Sequence, residues 1–78
     1  MEMKMALANA TNEELISIIR VYDVLERPLE RRFEGDDVDL VNFLEAHGMK
    51  QDVVTKTLII GAAMREALTR GIQIPRGN

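Results

Sequence analysis

Leu58-Ile59-Ile60-Gly61-Ala62-Ala63-Met64 is an unbroken apolar run within a proline-free segment bounded by Gln51 and Gly71. A helix with one partner needs one apolar stripe, whereas a helix apolar all round needs partners on more than one side. The run lies within a helix expected over 51–70. With only three aromatics, Tyr22, Phe33 and Phe43, the core must be built from Leu, Ile, Val, Met and Ala, which favour helix-on-helix packing, so the expected class is all-α. On the helical period, Val53, Thr57, Ile60, Met64 and Leu68 form a core stripe. Leu58 and Ala62 are left on one flank, Ile59 and Ala63 on the other. In a chain of 78 residues little else is available to cover them. These four residues are the expected protein-binding or dimer interface, and Gly61, Ala62 and Ala63 would let a second backbone approach closely.

Working towards the N-terminus, Gly48 is placed to stop a helix over 37–47, whose stripe is Leu40, Val41, Phe43, Leu44 and His47. Asp36, Asp37 and Asp39 lie at its start, where acids suit the positive end of the helix dipole. Their spacing fails the calcium-loop pattern, because the fifth position counted from Asp37 is Val41 and no glycine follows it. Thr11-Asn12-Glu13-Glu14 reads as a capping box that opens a further helix over 12–27. Leu15, Ile18, Ile19, Tyr22 and Leu25 share its inner face, and Pro28 ends it. Residues 29–33 make a short extra turn, and the mixed charges from Glu26 to Glu34 read as a solvated face. Residues 1–10 read as a flexible or partner-dependent arm, 11–71 as one helical domain, and 72–78 as an extended tail ending in a disordered Arg76-Gly77-Asn78.

The result is a compact three-helix domain expected to complete its core by dimerisation. A chain this short gains only about 3–5 kcal/mol from a single core. Disulfides cannot reinforce it, because cysteine is absent. One histidine and no thiol leave no zinc set, so no metal and no cofactor is expected. His47 has no nucleophile near it in sequence, and neither a phosphate-binding glycine loop nor a paired-acid constellation occurs. The chain is therefore expected not to be an enzyme and to have no small-molecule substrate. No membrane span and no export signal are legible, which points to a cytoplasmic protein.

The segment from Leu44 to Leu58 resembles a helix-turn-helix. Gly48 ends the first helix, apolar Met49 follows, and Val54 and Leu58 stand six and ten residues beyond the glycine. The resemblance implies a DNA-binding transcriptional regulator in which Gln51, Thr55 and Lys56 face the groove. The sequence departs from the pattern in carrying Leu44 where alanine is common, Asp52 on the recognition face, and Ile59 pointing towards the nucleic acid. Charge is divided: residues 1–39 hold ten acids and five bases, residues 40–78 three acids and five bases. The net charge of −3 lacks the basic surplus of most duplex-binding domains.

The leading expectation is a small non-catalytic protein-interaction module. It would be a homodimer that acts as a regulator or inhibitor by binding another protein. In type it resembles the small regulators and inhibitors carried by phages and plasmids. DNA is the alternative partner.

Overall fold

Thr11 and Glu14 set the first helix boundary in the domain proper. The Glu14 N–H donates to the Thr11 hydroxyl at 3.1 Å, and the Thr11 N–H donates to the Glu14 carboxylate at 2.8 Å. Both orphan donors are thus satisfied within the segment itself. The computed structural model describes residues 3–33, 35 and 37–73. Among these, four α-helices occur and no strand: α1 (Met3–Ala8), α2 (Asn12–Ile19), α3 (Val38–Ala46) and α4 (Val53–Arg70). Two 3₁₀ turns, Tyr22–Glu26 and Leu29–Arg31, join α2 to α3.

The all-α class is as the sequence indicates, but the count of helices differs. Part of the expected arm is α1, and its Ala6 and Leu7 are buried. Arg70 fixes it: one guanidinium nitrogen donates to the Leu7 and Ala8 carbonyls, each at 3.0 Å, and another to the Asn12 side chain at 2.9 Å. The last carbonyls of a helix have no partner within it, and a cation suits that end. A six-residue helix too short to persist alone is thereby tied to α4.

The helix expected over 12–27 stops at Ile19, well before Pro28. From Val21 the backbone tightens into i to i+3 bonds, with the Val24 N–H donating to Val21 at 3.0 Å and the Arg27 N–H to Val24 at 3.0 Å. On a continuing α-helix Val24 would lie opposite Leu15 and Ile18. The tightened turn brings it into the core, where it is buried.

Two left-handed glycines end α3 and α4 in the same way. Gly48 has φ +65° and Gly71 φ +76°. The Met49 N–H returns to the Leu44 carbonyl and the Ile72 N–H to the Ala67 carbonyl, each at 2.9 Å. Met49 and Ile72 both pack against the core, completing the Schellman arrangement. The remainder of the tail, 74–78, lies outside the described residues.

The core holds Leu7, Leu15, Ile18, Ile19, Val24, Leu40, Phe43, Leu44, Ile59 and Ile60, with alanines 6, 10, 63 and 67 between them. Each fully buried Leu or Ile contributes about 1.5–3 kcal/mol by leaving water. The Cα positions span 32 × 32 × 16 Å. Helix axes pack about 8–10 Å apart, so the short dimension fits two helix layers. In two layers a helix has one face against the other layer and one face outward. For α4 that division decides which residues are available for binding.

Candidate functional site

Asp52 starts α4 by accepting the Thr55 N–H at 2.8 Å. Hydrogen bonds from the Thr55 side chain and N–H, with the nearby charge of Lys50, hold its carboxyl below the usual range. From there α4 runs eighteen residues to Arg70 without a break. α2 and α1 both pack against it, and their positions set its rotation. Ile59, Ile60, Ala63 and Ala67 face inward at 0 % exposure.

This rotation corrects the stripe read from the sequence. Leu68, expected in the core, is 65 % exposed, while Ile59 and Ala63, expected on a free face, are inside a single chain. Of the four expected interface residues, Leu58 is exposed and Ala62 half-buried. The reason is α1. Once its Leu7 and Ala6 join the core, the flank carrying Ile59 and Ala63 has a neighbour within the same chain.

What α4 leaves outward is a different stripe: Val54, Leu58, Gly61, Arg65 and Leu68, spaced four, three, four and three. Val54 is 66 % exposed and Leu58 59 %. A side chain added at Gly61 would meet nothing within 4 Å. Along one flank of this stripe a groove of about 530 Å³ separates α4 from α1. Met3, Leu7 and Ala62 give it apolar walls, and Lys4, Arg65 and Glu66 stand around it. The Glu66 carboxylate is engaged by Arg70 Nε at 2.9 Å.

The residues that the helix-turn-helix resemblance singles out lie differently from its pattern. Val54 and Leu58, which the pattern puts inside, are exposed, and Ile59, which it points at the nucleic acid, is buried. Gln51 is exposed and Thr55 half-buried. Lys56 is turned inward: its Nζ lies 2.7 Å from Asp37 Oδ2, with the two side chains 13 % and 8 % exposed. The same ammonium stands 5.0 Å from the centre of the Phe33 ring. Asp37 occupies the N-cap position of α3 but makes no side-chain cap bond, because its carboxylate is directed to Lys56. It is an anchor between α3 and α4 rather than the capping acid expected. Asp36 lies outside the described residues.

Arg32 is also an anchor rather than part of a solvated face. It donates to the Leu25 carbonyl at 3.0 Å, to the Arg27 carbonyl at 3.2 Å and to the Thr57 hydroxyl at 3.4 Å. His47 Nδ1–H donates to the Phe43 carbonyl at 2.9 Å, and its ring lies 4.3 Å from that of Phe43. Among the described residues no group of His, Cys, Asp or Glu could hold a metal ion, and no helix is long and apolar enough to cross a membrane. The inward turn of Lys56 had no sequence signal, since it depends on Asp37 on another helix, and Arg32 turns to the carbonyls of Leu25 and Arg27 as well as to the more distant Thr57. No protein-family model, curated protein or solved structure matches the chain.

Proposed function

We propose that the protein is a small non-catalytic interaction module that pairs with a second copy of itself through the outer face of α4, and acts as a regulator or inhibitor by binding another protein. One observation carries the reading: three large apolar side chains, Val54, Leu58 and Leu68, stand in solvent along a single helical stripe. Scattered exposed leucines are ordinary on protein surfaces, but an aligned set on one rigid helix is a face that a partner helix can cover.

The DNA-binding reading has less support. Lys56, its one basic candidate, is held between Asp37 and Phe33. Turning it outward would leave a carboxylate buried without its partner.

The test uses the link between association and stability. A dimer that binds only the folded chain raises the unfolding midpoint as protein concentration rises. The midpoint of the native chain should therefore climb with concentration in both low and high salt, because the large side chains of the face are apolar. In Leu58→Glu it should be independent of concentration, with helical content unchanged. A concentration-independent midpoint in the native chain would oppose the proposal.

A further inference from the structure

We propose that the two copies pair antiparallel, with the two-fold axis at Gly61. This rests on α4 being the pairing face and adds its geometry. The outward residues Val54, Leu58, Gly61, Arg65 and Leu68 follow the alternating four-and-three spacing that keeps one face of a helix against a second helix. Val54 and Leu68 each stand seven residues from Gly61. An antiparallel pair centred there sets Val54 of one copy against Leu68 of the other, twice, and brings the two glycines together at the crossing.

Gly61 itself supports this. Glycine inside a helix is unfavourable by about 1 kcal/mol relative to alanine. Nothing within the chain requires it, since a Cβ there would meet no atom within 4 Å. A second backbone passing close to the helix would require it.

Arg65 sets the orientation. In a parallel pair at equal register the two Arg65 guanidinium groups would face each other at the seam, and like charges in contact are repulsive. Reversing one helix places each Arg65 beside Thr57 and Leu58 of the second copy. There its aliphatic stem covers Leu58 while its head stays in water. Reversal also sets the positive N-terminal end of one α4 beside the negative C-terminal end of the other. The N-terminal half of the second α4 then runs along the C-terminal half of the first, beside the groove between α1 and α4. Arg65 belongs to both surfaces, so each groove gains a wall from the other copy.

The absence of cysteine makes single-site cross-linking clean. Chains carrying Val54→Cys or Leu68→Cys are treated with a short bifunctional maleimide, separately and mixed. In the antiparallel pair two equivalent Val54 positions lie fourteen residues apart along the helix axis, about 21 Å at 1.5 Å per residue. Neither variant should then link to itself, while the mixture should give the Val54→Cys to Leu68→Cys product. Self-linking by Val54→Cys and Leu68→Cys, with no mixed product, would mean a parallel pair and overturn this proposal while leaving α4 as the pairing face. If no combination links, the pairing face is wrong as well.

Discussion

The inner and outer faces of α4 are matched to their neighbours in opposite ways. Inside, against α1 and α2, stand Ala63 and Ala67 with Ile59 and Ile60; outside, against solvent, stand Val54, Leu58 and Leu68 with Gly61 between them. Two of the four inner residues are small, which lets neighbouring helices pack close to this one. The outer face has bulky apolar groups flanking a gap. Large apolar side chains therefore stand on both faces, so hydrophobicity alone does not say which face is inward.

Substitutions on either side of the boundary test that division. Ile59→Asp places an unpaired carboxylate in the core and should unfold the chain, whereas Leu58→Asp, one residue along, should leave the circular dichroism of the folded chain intact. Similar helical content in the two would mean that α4 is not rotated as described.

Next in size is the anchor that turns Lys56 inward. Lys56→Met leaves Asp37 buried and unpaired and should cost about 3–5 kcal/mol in denaturant unfolding. Replacing both, as Asp37→Leu with Lys56→Met, should recover most of the loss, because two apolar groups satisfy each other. A Lys56→Met chain of unchanged stability would place Lys56 at the surface and return it to the DNA-binding reading.

Gly61→Ala carries opposite signs in the two states. On a Leu58→Glu background, where the outer face is disabled, it should stabilise the chain by about 0.5–1 kcal/mol through helix propensity. In the otherwise native chain at high concentration the gain should vanish or reverse, as the added methyl separates the two backbones. Equal gains in both backgrounds would show that nothing approaches Gly61.

The smallest effect concerns the start of α4. Asp52 has its carboxyl held below the usual range by Thr55. Its contribution is therefore complete above the unfolded-state value and is lost as pH falls through the lower folded-state value. Titrating the native chain and Asp52→Asn in parallel should show the native chain losing its advantage over that acidic window. Identical pH profiles would remove the cap from the stability of the helix.

Local signals were legible in the sequence and distant ones were not. The Thr11 capping box, the stops at Gly48 and Gly71, and the α3 stripe of Leu40, Phe43 and Leu44 each depend on residues close together in the chain. The rotation of α4 depends on α1, and α1 is docked by Arg70, more than sixty residues away. In residues 3–8, Met3, Met5 and Leu7 alternate with Lys4, Ala6 and Ala8 as a strand would, yet all six are good helix formers, so their place in the core was not legible. That omission moved Ile59 and Ala63 from the core to the expected surface. Of the candidate interface, Leu58 and Ala62 remain accessible, and Val54, Gly61, Arg65 and Leu68 become visible as its continuation once the rotation is known.

Sedimentation equilibrium of the native chain across a wide concentration range addresses the pairing of α4 most directly. The chain mass is 8.8 kDa. Pairing through α4 predicts a species of twice that mass at high concentration, reverting to a folded monomer in Leu58→Glu. A native chain that stays at the mass of one folded copy throughout would contradict it.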